Sequence, residues 1–145
     1  MKNRFAHSIF CDDIRPESGN KHSYIGVYGP DLFVEQVPSS LARFCVLTTF
    51  NTDIADPVKS LKVIINIGGQ LAREIELPAA YLEAAHQVFV DAASKGEKQG
   101  MSFYRVQAGI TPLTIENPGA LEVFAIADGV EYPAGQLQIK LSSAA

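Results

Sequence analysis

The chain has 145 residues, 47% of them hydrophobic and 19% charged, a balance that excludes a disordered or fibrous protein and fits an ordinary globular one. A chain of that length can bury roughly two-thirds of the surface it exposes when unfolded, so its stability requires neither metal nor disulfide staple. The formal charge of −4, with 12 basic residues scattered singly, excludes a surface that works by neutralising phosphates, and no nucleic-acid partner is expected.

Phe5 to Asp12 alternates Phe5, His7, Ile9 and Cys11 with Ala6, Ser8, Phe10 and Asp12, a period of two that predicts a strand. Glu17-Ser18-Gly19-Asn20 supplies turn chemistry, and Ser23 to Tyr28 predicts a second strand, so the first 28 residues read as a hairpin with a long loop. Gly29-Pro30-Asp31 stops it, and a short piece from Leu32 to Val34 leads through Pro38 to the longest strand, Leu41 to Phe50. Apolar residues on both of its faces mark that strand as central. Gly68-Gly69 between Lys62–Asn66 and Leu71–Glu76 predicts a tight hairpin, because glycine accepts the positive φ that such turns require.

The period then changes. Leu82, Ala85, Phe89 and Ala92 recur at helical spacing opposite Glu83, Gln87, Asp91 and Ser94, which predicts an amphipathic helix over about 79–95. Pro78 suits its first turn, Asp91 and Lys95 stand four apart in the favourable order, and Gly96 can close it. A polar loop from Lys95 to Gly100 precedes strand patterns at Met101–Ala108, Leu121–Ile126 and Leu137–Leu141, with Asp128-Gly129 as a further hairpin signal. Eight or nine short strands with one helix predict a mainly β fold: an antiparallel β-sandwich, immunoglobulin-like or C2-like, forming one domain over residues 1–145.

The chemistry-bearing residues do not converge in the sequence. His7 and Cys11 are four apart in a strand, about 13 Å, too far to share one ion, and the chain has no Cys-x-x-Cys or His-Glu-x-x-His spacing. No metal and no cofactor are therefore expected. Asp12, Asp13, Asp31, Asp53 and Asp56 raise a calcium reading, against which stands their ordinary use as turn-forming carboxylates. No Gly-x-Ser-x-Gly elbow or phosphate-binding loop is present, and Cys45 falls in mid-strand, where burial makes a thiol inert. Tyr24, Tyr28 and Tyr104 fall on strands whose faces can stack a ring or pair across the sheet.

Phe10-Cys11-Asp12-Asp13-Ile14-Arg15, followed by Lys21-x-Ser23-x-Ile25-Gly26-Val27-Tyr28, resembles the N-terminal signature of a family of small bacterial proteins defined as a domain of unknown function. Pro112 to Ile115, Pro118-Gly119, Asp128-Gly129 and Leu137-x-Ile139 are similar to that family's closing strand pattern. The resemblance covers about half of the chain and implies a cytoplasmic sandwich without an assigned activity. The helical stretch from Pro78 to Lys95 departs from the family's all-strand pattern.

These readings lead to a non-enzymatic interaction or accessory module, soluble and cytoplasmic, that contacts another protein or a second copy of itself and neither nucleic acid nor membrane. The alternative is a small-ligand or carbohydrate-binding sandwich, with a calcium-dependent variant. In either case the candidate binding residues are Asp12, Asp13, Lys21, His22, Tyr24 and Tyr28, with Asp13 and Lys21 expected to pair across the first hairpin.

Overall fold

Strands with one apolar face are stable only when that face is covered, and here two sheets cover each other. The computed structural model describes residues 3–97 and 100–142. One sheet has the order β2-β1-β5-β8, formed by β1 (Phe5–Glu17), β2 (Lys21–Val27), β5 (Phe44–Asp53) and β8 (Met101–Ile110). The other has the order β3-β11-β10-β6-β7, formed by β3 (Asp31–Val34), β6 (Leu61–Ile67), β7 (Gln70–Leu77), β10 (Gly119–Ala127) and β11 (Val130–Leu141). β4 (Ser39–Leu41) and β9 (Leu113–Ile115) make a small ribbon at one end. The fold is the β-sandwich the alternation predicts, with one departure: β3 joins β11 in parallel, so the larger sheet is mixed.

β5 is the organising strand. Phe44 and Val46 pack with Val63, Ile65, Leu121 and Val123 of the opposite sheet, and Phe50 with Leu61 and Ala125, while Cys45 and Leu47 on the alternate face are buried with Cys11 and Ile14. Burial on both faces explains why its sequence shows no polar alternation. The strand begins at Phe44, since Leu41 belongs to β4 and Ala42-Arg43 separates the two. Both predicted glycine turns form at positive φ, at Gly68 and Gly69 between β6 and β7, and at Asp128 and Gly129 between β10 and β11.

The helix α1 (Ala79–Ser94) carries the chain from the edge of one sheet to the edge of the other, packing along β8. Pro78 precedes its first turn as an extended residue without a side-chain cap, and Gly96 follows it at φ 81°. Asp91 accepts a hydrogen bond from Gln87 Nε2 at 2.8 Å, in place of the expected pairing with Lys95, which lies just outside the helix. The predicted polar loop contains residues 98 and 99, which lie outside the described residues. Of the predicted apolar stripe, Leu82 alone is fully buried, wedged among Phe50, Val58, Leu61 and Tyr104, while Phe89 meets Phe103 edge-on at 5.2 Å. Leu82→Ala is therefore expected to destabilise the chain by about 2–4 kcal/mol in urea unfolding, whereas truncating the exposed Val88 costs less than about 1 kcal/mol.

Candidate functional site

The first hairpin is longer and tighter than the turn signals imply. β1 continues through Pro16 to Glu17, and the connection to β2 is only Ser18-Gly19-Asn20, with Gly19 and Asn20 at positive φ. β1 leaves the sheet partway along: its last partner on β5 is Cys45, opposite Cys11, and beyond that rung it pairs with β2 alone. The hairpin root is irregular at this departure. Gly26, at φ +68°, lies between the Cys11–Val27 and Asp13–Ile25 pairs, and a Cβ on it would fall inside the Asp12 carboxylate.

Asp12 fills the space that Gly26 leaves and accepts a hydrogen bond from the Tyr28 hydroxyl at 2.6 Å. The Tyr28 ring packs inward on Phe44, with centroids 5.7 Å apart. Burial, and then the Asp12 carboxylate, push the Tyr28 phenol above its ordinary range. Asp13 accepts from its neighbour, the Ile14 N–H, at 2.9 Å, and its other oxygen meets Arg43 Nη1 at 3.0 Å and Arg15 Nε at 3.5 Å. Arginine, with a rigid fork of donors, takes the place expected for Lys21. Lys21 stands opposite Glu17 at the hairpin tip, four rungs or about 13 Å from Asp13.

His22 and Tyr24 lie in a different setting. With Arg105 and Gln107 they border a recess of about 130 Å³, floored by Ile14 and Leu47, on the outer face of the β2-β1-β5-β8 sheet. The Arg105 guanidinium stacks over the Phe103 ring at 4.8 Å. The six candidate residues thus divide into a structural root (Asp12, Asp13, Tyr28), a recess wall (His22, Tyr24) and a hairpin tip (Lys21). Tyr24 is exposed, but Tyr28 packs inward and Tyr104 is buried in the core, so the three tyrosines form no common exposed stripe. A larger recess of about 410 Å³ lies at the end that carries the β4–β9 ribbon, between the β6–β7 turn and Thr114–Pro118, bordered by Ile67, Gln70, Leu71 and Glu116.

The loop aspartates do not converge. Asp31 pairs with Lys140 at 3.1 Å, Asp12 and Asp13 are engaged at the hairpin root, and Asp56 belongs to a third cluster. Among the described residues no three His, Cys, Asp or Glu side chains are grouped to hold a metal ion. A calcium site needs several carboxylate oxygens around one point, and these aspartates are engaged separately.

The third cluster is one that the sequence reading missed. Arg4, its side chain 2% exposed, bonds Asp56 through Nε at 3.0 Å and Asp128 through Nη1 at 2.8 Å, and also donates to the Thr52 hydroxyl and to the Asp56 and Pro57 carbonyls. Asp128 in turn accepts the Lys59 and Ser60 amides at 3.0 Å each. Burial pushes the Asp128 carboxyl up, but the Arg4 hydrogen bond and the two amides outweigh it and hold the group below its ordinary value. The Asp128-Gly129 turn signal was visible in the sequence. Its cation, 124 residues away, was not.

No protein-family model matches the chain, and no curated protein matches it in sequence. Among solved structures it is similar to the CARDB domain of a Pyrococcus furiosus protein, crystallised with di-metal ions, at 8% identity and a TM-score of 0.44, covering 97% of this chain and 96% of that one. It is also similar to part of a β-glucosidase from Listeria innocua, at 9% identity and a TM-score of 0.39, covering 96% of this chain. The chain spans only 16% of that enzyme. Among the described residues no helix is long and apolar enough to cross a membrane.

Two predictions follow the geometry. Gly26→Ala should destabilise the chain by about 1–3 kcal/mol, and Asp12→Ala in the same chain should recover the part due to the side-chain collision, a coupling that a double-mutant cycle of urea midpoints measures. Asp128→Asn should cost about 1–3 kcal/mol at neutral pH. Because the folded-state pKa of Asp128 is depressed, its contribution is present above the ordinary carboxylate value and lost as pH falls through the depressed one. The gap between wild type and the asparagine variant should accordingly close in unfolding curves taken at progressively lower pH.

Proposed function

We propose that the chain is a non-enzymatic interaction module whose contact element is the free edge of β2. The observation that carries this reading is the contrast among the four sheet edges. An unpaired edge offers a row of N–H and C=O groups to any passing strand, and proteins guard such edges with charge, brevity or a covering element. β3 has only four residues, and Asp31 on it is tied to Lys140. β7 carries Arg73, Glu74 and Glu76, and β8 is flanked by α1 and bonded at the Gly109 carbonyl by Arg73 Nη1 at 2.7 Å. From His22 to Val27, β2 has no Asp, Glu, Lys or Arg, and it exposes Tyr24, Ile25 and Val27, the last 58% exposed.

Strand addition along β2 supplies main-chain hydrogen bonds for affinity and alternate side chains for selection. A second copy is a compatible occupant: antiparallel pairing of β2 with itself sets the uncharged half of each strand against the Lys21 end of the other, so no like charges meet. The non-enzymatic part of the reading is supported by the way the acids are spent, since Asp12, Asp13, Asp31, Asp56 and Asp128 each hold a group of the fold itself. The reading places the chain in the cytoplasm, where thiols such as Cys11 and Cys45 are kept reduced in the resting state.

The recess beside His22 and Tyr24 supports a second reading, a small-ligand site, because an apolar floor of Ile14 and Leu47 under convergent polar groups is how such sites are built. One experiment addresses the leading reading. Sedimentation of wild type and Ile25→Lys across a concentration series, with affinity capture on both chains, should show an assembly, with itself or with a partner, that the variant weakens at least about tenfold. A wild-type chain that stays monomeric and captures the same proteins as the variant overturns it. Titrating Arg105→Ala and wild type with small carboxylates tests the second reading separately.

A further inference from the structure

We propose that Cys11 and Cys45 form a reversible intramolecular disulfide that locks the root of the β1–β2 hairpin to the central strand. The two cysteines are direct partners in the antiparallel β1–β5 ladder. Opposed residues in such a ladder have Cα atoms about 4.5–5.5 Å apart, within the roughly 4.4–6.8 Å that a disulfide bridges. Both side chains lie on the same face, in one buried cluster with Ile14 and Leu47, and both are free thiols. The separation of 34 positions in sequence disappears in the fold because β1 and β5 run side by side.

The two thiols differ in access. Cys11 has no exposed surface, while Cys45 keeps 7% and donates its S–H to the Asp12 carbonyl at 3.8 Å. That difference orders the chemistry. With hydrogen peroxide as oxidant, the Cys45 thiolate attacks one peroxide oxygen, breaking the O–O bond and giving a sulfenic acid and water. Cys11 sulfur then attacks the Cys45 sulfur, the S–O bond breaks, and a second water leaves. Two thiols and one peroxide thus give one disulfide and two waters, with two electrons passing from sulfur to oxygen. Burial pushes the Cys11 thiol up to about 11 and raises that of Cys45, which makes the resting pair slow to oxidise and keeps it reduced until oxidant accumulates.

The Cys11–Cys45 rung is the last that ties β1 to β5. Past it the hairpin is held by its own ladder, by Asp12 with Tyr28 and by Asp13 with Arg43. A covalent bond at this rung fixes the point at which the hairpin leaves the β5 ladder, and the formation of the bond costs the Cys45 hydrogen bond to the Asp12 carbonyl. The inference stands on the register alone and is independent of whether β2 is a docking edge.

The test uses the folded full chain treated with hydrogen peroxide, quenched by alkylation and analysed by intact mass and peptide mapping. Expected is a monomer lighter by about 2 Da with a Cys11–Cys45 linked peptide, restored to two alkylatable thiols by reductant. Hydrogen exchange of residues around Asp12 and Gly26 should slow by about tenfold in the oxidised chain. Cys11→Ser should instead stop at a Cys45 sulfenic or sulfinic acid. Wild-type chain that gains oxygen without cross-linking, or that links only between molecules, overturns the proposal. So does folded protein that stays reduced under conditions that cross-link the same chain in urea, a result readable even if the serine variant does not fold.

Discussion

A guanidinium buried to 2% exposure must find its hydrogen bonds inside the protein, and the way Arg4 does so sets the sandwich's geometry at one end. Its five acceptors come from the end of β5, the segment after it, and the β10–β11 turn. One side chain at the start of β1 therefore links the smaller sheet to the tip of a hairpin in the larger one. Asp128 completes the link by also accepting the amides at Lys59 and Ser60, so the entry into β6 is held in the same network. Buried ion pairs are costly to assemble and costlier to break. Here Arg4 also bonds the Thr52 hydroxyl and the Asp56 and Pro57 carbonyls, and Asp128 accepts two amides, the kind of added hydrogen bonds that let such a pair fix an arrangement.

The opposite end of β1 is governed by a steric constraint. Gly26 has a left-handed φ and no Cβ, so the Asp12 carboxylate can lie across β2 and reach Tyr28. Tyr28 then carries the hairpin root onto Phe44 of the central strand. Together with Asp13 and Arg43, these contacts turn β1 and β2 off the β5 ladder as a two-stranded ribbon that lies over the outer face of the sheet, Ile14 against Leu47 and His22 and Tyr24 beside Arg105 and Gln107. Isolated two-stranded ribbons are marginal in water, and the root contacts replace the support that β5 gives elsewhere.

Much of the sandwich was legible because its signals are local. Period-two alternation in β1, the double apolar face of β5, Gly68-Gly69 and Asp128-Gly129 each depend on residues a few positions apart, and each is found, although β1 runs on to Glu17 and β5 begins at Phe44 and not at Leu41. The parallel pairing of β3 with β11 was not legible, since partners 107 positions apart, Asp31 and Gln138, leave no periodic trace. The candidate site shows the same division. Asp12 and Tyr28 belong to one hairpin and were read as candidate binding residues, whereas with Gly26 they shape the hairpin root. Arg43, Arg105 and Arg4, which supply the charge at each cluster, come from other strands or segments, and nothing in their own surroundings marks them.

Edge protection links the fold to the proposed role more closely than any single residue. A sandwich of two open sheets has four edges, and three here carry a recognisable guard: brevity at β3, charge at β7, a helix at β8. The β2 edge has Lys21 at its start and the irregularity at Gly26 near its end, and no charge between them. If the uncharged run from His22 to Val27 served packing alone, its apolar side chains would be covered, yet Ile25 and Val27 are exposed. Retaining them on a free edge carries a standing risk of unwanted pairing, on a hairpin whose direction is set by Asp12, Tyr28 and Asp13 at its root and by Ile14 on Leu47. That combination of exposure and rigidity favours docking, because a strand held in its bound conformation loses little entropy when a partner strand is added.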